Sequence, residues 1–272
     1  MHPRNIRGEI LLVPRCVVDI LFGMNISTRC EVRTCAALGG LFLASLAASA
    51  TPVSLSNPSF ELPATGFVDT RVDGWAKTPA PVWFDPVLAG GASWDQVSGV
   101  FANPPVGQAT RKTNIDGNQA LYLFALPTAG LTQTLSATYE AGVSYTLTLG
   151  VAGGGGNLPE GSTFLLGFYY VDGASAILLG GTTVTHSLAT FPTTTSFVDF
   201  SSTVPTVGAG DAWAGKPIGV QLIATSGTGV GYWDLDNVRL EATVVPEPGT
   251  WALLGTGAGL LLVAGWRRNV RG

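Results

Sequence analysis

The chain has 272 residues, a formal net charge of −4, 36 glycines and 17 prolines. Only 12 % of its residues are charged, and no basic patch, Walker loop or dinucleotide fingerprint occurs, which excludes nucleic acid and nucleotide phosphates as partners. The length allows one full-sized domain between two apolar ends.

From the N-terminus, Arg29 and Arg33 precede an apolar run containing Leu38, Leu41, Phe42, Leu43 and Leu46, and Ala48-Ser49-Ala50 follows. A basic region, an apolar core and a small-residue site in that order make a secretory signal peptide. Signal peptidase is the expected partner, with Ala48 and Ala50 flanking Ser49 at the cleavage site. The basic region begins deep in the chain, and Met24 supplies a natural start. Residues 24–50 then form the signal, and 1–23 are an upstream extension. The alternative is a long two-part leader, because 10–13 and 17–22 are apolar too. Cys16, Cys30 and Cys35 all precede the cut, so the exported part is expected to carry no thiol and no disulfide.

Residues 51–245 form the body, with six basic and 14 acidic residues, a net of −8. Its pattern is β throughout. Val143, Tyr145, Leu147, Leu149 and Val151 alternate with Ser144, Thr146 and Thr148, a period of two. Phe164, Leu166, Phe168 and Tyr170 repeat it, and Asp172-Gly173 predicts a tight hairpin into 176–179. Further strands are expected near 54–61, 67–75, 93–100, 119–126, 131–136, 182–188, 195–201, 217–225 and 230–241. Gly153 to Gly156 reads as a flexible loop. With no long amphipathic helix, many short antiparallel strands predict an all-β sandwich or jelly roll.

Asn57-Pro58-Ser59-Phe60-Glu61, then Asp73-Gly74-Trp75, resembles the opening of galactose-binding-like jelly rolls. Gln133-Thr134-Leu135 with the segment from Ala141 to Leu147 is similar to their central strand pair, and the segment from Asp234 to Leu240 to their last strand. The resemblance implies a jelly-roll body, carbohydrate binding in many relatives, a structural role in others, and often a structural calcium.

A calcium site is expected at Glu61 and Asp236. Trp233 and Leu235 are apolar on one parity of the last strand, Val238 and Leu240 on the other. A strand changes parity only through an extra residue, so a bulge is predicted at Asp236-Asn237, turning Asp236 toward Glu61 on the first strand. Two carboxylates and backbone carbonyls suit a hard cation; the plainer reading is a polar turn with a solvated Glu61.

Catalysis is not expected. His186 is the only histidine after the signal and reads as a surface or half-buried residue. Asp234 and Asp236 share one face of a strand, roughly 7 Å apart, a spacing that any acidic strand offers. Trp83, Trp94 and Trp213 lie in loop-like settings and are the candidates for stacking on sugar, while Trp75 and Trp233 read as core. The expected role is a non-catalytic surface or matrix protein in contact with exopolysaccharide. The alternatives are a dedicated carbohydrate-binding module, or a glycoside hydrolase or polysaccharide lyase.

The chain ends with Pro246, Glu247, Pro248 and Gly249, an uncharged run over 250–266 bracketed by Trp251 and Trp266, and Arg267, Arg268 and Arg271. Proline stops a helix from entering from upstream. At ~1.5 Å per residue a helical run of this length reaches about 25 Å, a marginal membrane span with interfacial tryptophans and cytoplasmic arginines. Residues 246–272 resemble the PEP-CTERM sorting signal of exported proteins in exopolysaccharide-producing bacteria. The resemblance implies transient anchoring in the inner membrane, removal of the tail by an exosortase, and release to the cell surface or medium.

Overall fold

A computed structural model describes residues 49–87 and 91–245, together with Gly255 and residues 257–259. Ala48, the sorting-motif residues Pro246, Glu247, Pro248 and Gly249, the flanking Trp251 and Trp266, and Arg267, Arg268 and Arg271 lie outside the described residues. Among the described residues no helix is long and apolar enough to cross a membrane.

Two antiparallel sheets face each other. The larger contains β2 (Val68–Asp69), β4 (Ser98–Ala102), β5 (Gln119–Phe124), β7 (Val143–Gly155), β10 (Val198–Val204) and β12 (Tyr232–Val244), in the order β10-β7-β12-β5-β4-β2. Strand β1 (Ala50–Pro52) also pairs with β12. The smaller runs β3 (Ala76–Lys77), β6 (Gly130–Thr138), β11 (Pro217–Ser226), β8 (Thr163–Asp172), β9 (Ser175–Thr185). Between the sheets, Leu121, Leu123, Leu147, Leu149, Trp233 and Leu235 meet Leu131, Phe164, Leu166, Phe168, Val220 and Leu222 in one core. The body is an all-β sandwich, as its alternation predicts.

The Asp172-Gly173 signal does close a hairpin. Asp172 pairs with Ser175, and Gly173 sits at φ 61°, the positive angle that the first central position of a two-residue turn demands. The segments expected as separate strands at 176–179 and 182–188 are one long strand, β9. The predicted bulge is present as well. Along β12, Asp236 pairs with Gly150 and Arg239 with Thr148, three residues against two, and Asn237 takes φ 53°.

Four local expectations fail. Residues 54–61 form no strand, because Asn57 and Phe60 both hold positive φ. The Asn57 side chain donates to the carbonyls of Leu62 at 2.7 Å and Asp73 at 3.0 Å, tying a loop that drops Phe60 into the core against Trp75. Of 67–75, only β2 is strand. His186 is buried, 4 % exposed, and stacks on Phe191 at 5.7 Å with its Nδ1 3.2 Å from the Pro159 carbonyl oxygen. Gly153, Gly154 and Gly155 end β7 instead of forming a loop.

Candidate active site

The outer face of the larger sheet is not bare. The long connection from β4 to β5, residues 103–118, folds back over it. Asn103 pins the connection by accepting from the Lys112 amide at 2.8 Å and donating to the Lys112 carbonyl at 3.1 Å. Asn114 brackets Phe197 in the same way, accepting from its amide at 2.8 Å and donating to its carbonyl at 2.9 Å. A second small core of Ala120, Ala152 and Phe197 forms beneath, with Ile115 and Phe101 against it.

This cover buries two groups that water would otherwise solvate. The Lys112 ammonium forms an ion pair with Oδ2 of Asp234 and donates to the Thr194 carbonyl; the two side chains are 7 % and 2 % exposed. Oδ1 of Asp234 is buried without a hydrogen-bond partner. Loss of water pushes this carboxyl up to about 6, against the opposing pull of Lys112. A buried acceptor left open costs about 1–3 kcal/mol, as do the indole nitrogens of Trp213 and Trp233, which are likewise buried without a partner.

Asp234 lines a cavity of about 790 Å³. The walls are aromatic: Phe67 from the loop before β2, Phe101 from β4, Tyr122 and Phe124 from β5, and Tyr232 from β12. Tyr122 meets Phe124 edge-on at 6.1 Å, and Phe124 meets Tyr232 at 5.7 Å. Burial pushes the Tyr122 phenol up to about 12 and raises Tyr232 as well, so both keep their O–H protons at neutral pH. Glycines seat the two rings. A β-carbon at Gly99 would lie 2.6 Å from the Tyr122 hydroxyl, and one at Gly155 2.4 Å from the Tyr232 ring. The glycine run of β7 is therefore the bed on which Tyr232 lies. One carboxyl with an open oxygen, neutral phenols and π faces can move a proton and stabilise positive charge on an apolar ligand.

Residues 51–241 match the family described as HpiC1 cyclase. The chain belongs to this HpiC1-like cyclase family. That match overturns the expectation of a non-catalytic protein, which rested on the lack of a histidine cluster or paired carboxylates. A lone acid in an aromatic pocket needs neither. Solved cyclases from Fischerella sp. TAU share the fold. One is 22 % identical with a TM-score of 0.55, covering 73 % of this chain and all of its own. Another, a Stig cyclase in complex with (3Z)-3-(1-methyl-2-pyrrolidinylidene)-3H-indole, is 20 % identical with the same score and coverage. The CBM22-1 xylan-binding domain of Paenibacillus barcinonensis Xyn10C is 15 % identical over 70 % of this chain and 93 % of its own, but its TM-score of 0.38 carries no argument. No curated protein matches. Residues 244–269 match the PEP-CTERM protein-sorting motif, which marks the cyclase-family body for export and exosortase sorting.

The residues singled out in the sequence fall in other places. Glu61 and Asp236 grip one loop: Glu61 Oε1 accepts from the amides of Asn118 and Gln119, both at 2.7 Å, and Asp236 Oδ2 accepts from the Asp116 amide at 2.6 Å. Burial, with Asp116 and Glu61 nearby, pushes Asp236 up to about 7. Crowded carboxylates suit a hard cation such as calcium, although among the described residues no group of three or more His, Cys, Asp or Glu is arranged as a metal cluster. Trp83 and Trp94 meet edge-on at 6.3 Å, with Trp83 53 % exposed and the Trp94 indole donating to the Thr78 carbonyl. Trp213 lies apart from them, beside the turn that enters β11.

Sequence reasoning missed Lys112, Tyr122, Phe124 and Tyr232. One signal was available: Ala120 to Phe124 is apolar on both parities, which means a strand covered on both faces.

Proposed function

We propose that the exported body is a cyclase acting on a flat, apolar, unsaturated small molecule, with Asp234 as the proton-transfer residue. The observation that carries this reading is the buried, unpartnered Oδ1 of Asp234 in an aromatic cavity of a cyclase-family chain. The Asp234 carboxyl gives its proton to an electron-rich carbon of the ligand. A carbon–carbon bond then forms on the resulting cation while the surrounding rings stabilise the charge. A proton finally leaves the product for the carboxylate, which restores the acid. Atoms balance without a co-reactant, because product and substrate are isomers. The indole ligand of the Fischerella neighbour is a flat heterocycle of the size that this cavity accommodates.

The test incubates the protein with a panel of alkenyl indoles and other unsaturated arenes. Wild type is expected to yield a compound of unchanged mass and altered retention, and Asp234→Asn to lower that rate at least 100-fold, in line with the ~10²–10⁴-fold that a positioned acid contributes. Equal rates for the two proteins would overturn the assignment.

Two companion readings belong to the same exported protein. A structural calcium between Glu61 and Asp236 holds the loop that ends at β5, on the evidence of those crowded carboxylates. Contact with exopolysaccharide is favoured by the half-exposed Trp83, which lines with Phe84 a cavity of about 420 Å³.

A further inference from the structure

The cyclase reading places the head of a ligand at Asp234, and the inference here rests on that reading. The rows of side chains that form the site do not stop there. On paired strands, Tyr122 stands across from Asp234 and Phe124 across from Tyr232. Two residues further along each chain come Leu126 and Val230, and these line the second cavity, of about 420 Å³. That volume lies in the ~300–1,000 Å³ range of small-molecule sites. Phe124 and Gln96 line both cavities, so the two are neighbours across one ring and one amide. Both dividing residues are held: Phe124 packs on Tyr232 at 5.7 Å, and Gln96 Oε1 accepts from the Ser93 amide at 2.8 Å. From Asp234 back to Val230 the chain advances about 13 Å, at ~3.3 Å per extended residue.

The second cavity differs in chemistry from the first. Trp83, Phe84, Val97, Leu126 and Val230 make its walls largely apolar. Phe84 meets Trp94 edge-on at 4.9 Å, and the Trp94 indole donates to the Thr78 carbonyl at 2.7 Å, which fixes the aromatic wall. Among the described residues, Asp85 is the one titratable group that lines it, and its Oδ1 accepts from the Val87 amide at 2.8 Å. A carboxylate in the wall with no cation beside it repels an anionic group. The acid, the ion pair and the phenols all belong to the larger cavity.

We infer that the second cavity is a subsite for an uncharged hydrocarbon arm of the same ligand, with Phe124 and Gln96 as the saddle over which the arm passes. The head lies among the aromatic rings near Asp234, and the arm leaves water between Phe84, Leu126 and Val230. Burial of the arm adds affinity and leaves the chemistry at the head unchanged, so this cavity selects substrates by length. Contact of polysaccharide with Trp83 uses the part of that residue that faces solvent, since Trp83 is half-exposed.

The experiment measures binding and needs no turnover. Indole, 3-methylindole, 3-butylindole and 3-octylindole are titrated into the protein by calorimetry. Each buried methylene is worth about fourfold in affinity, so 3-octylindole is expected to bind at least ~100-fold more tightly than 3-methylindole. Val230→Trp separates the subsite from general greasiness, because it fills the second cavity from an exposed position. It is expected to weaken 3-octylindole at least ~10-fold, the worth of about two excluded methylenes, and to leave 3-methylindole within about twofold. In the wild type, the terminal methyl of bound 3-octylindole is expected to show nuclear Overhauser contacts to the rings of Trp83 or Phe84, a readout that survives even if Val230→Trp fails to fold. Equal losses for the short and long probes in folded Val230→Trp, or a terminal methyl that contacts neither ring, would overturn the subsite. Trp83 signals moved by the producer's exopolysaccharide and not by 3-octylindole would also overturn it and give the cavity to sugar. The expected binding series with no cyclised product from the substrate panel would instead sink the cyclase reading and leave the two-cavity site standing.

Discussion

Replacing Asp236 by asparagine tests the seam under the β4–β5 connection. The wild-type carboxyl is pushed from 3.8 to about 7 by burial and by the carboxylates of Asp116 and Glu61. Its folded-state value lies above the unfolded one, so the folded protein holds the proton more tightly. The associated stability is complete below about pH 4 and is lost as pH rises through about 7. The shift is about 3 pH units, and at ~1.4 kcal/mol each the loss is about 4 kcal/mol. For a domain of this size that is about 10 °C of melting temperature. The assay is thermal melting of residues 51–245, which hold all twelve strands but the first residue of β1, at pH 5 and pH 8 in chelator. Because about a third of that loss already lies below pH 5, Asp236 is expected to lower the wild-type melting temperature by about 7 °C between pH 5 and pH 8. Calcium is expected to restore most of that difference by binding the ionised form. In Asp236→Asn the calcium response disappears and the pH difference shrinks to the part that Asp234, itself raised to about 6, still supplies. The variant also starts lower by ~1–3 kcal/mol, because an amide nitrogen then faces one of the two backbone N–H donors that Asp236 satisfies, from Asp116 and Asn237. Identical wild-type melting at both pH values would refute the burial argument. A pH slope that calcium leaves untouched would remove the cation and keep the buried acid.

Two further outcomes are expected. Trp83→Ala should leave the melting temperature within about 2 °C, since surface changes stay within ~0.5 kcal/mol, yet weaken retardation of the body in gels containing the producer's exopolysaccharide; unchanged retardation removes Trp83 from any sugar contact. The exported product should lack the span over 250–266, because residues 244–269 match a sorting motif whose tail is removed by an exosortase. Intact-mass measurement decides this, and recovery of Arg267 and Arg268 on surface protein would contradict it.

The sequence by itself determined the strand character, one face of each long strand, the hairpin and the bulge. In β7, the alternation from Val143 to Val151 is the local signature of a pleated strand with one face in the core, and it needs no knowledge of neighbours. The parity change between Leu235 and Val238 likewise forces an extra residue, which the register along β12 shows. The sorting tail is legible because its parts are contiguous. What the chain does depended on contacts that period and propensity do not encode. Outward positions such as Tyr122, Tyr232 and Asp234 look solvent-facing or merely acidic until a distant loop is laid over them. Residues 54–61 show the same limit from the other side, where the Asn57 side chain's bonds to Leu62 and Asp73 override a β-like pattern. Only the tertiary structure brings Lys112 from the cover onto Asp234 in the sheet, strips both of water and leaves one oxygen unpaired. The physical reason is that a carboxyl's chemistry is set by desolvation and by the charges beside it, and both are properties of the folded neighbourhood.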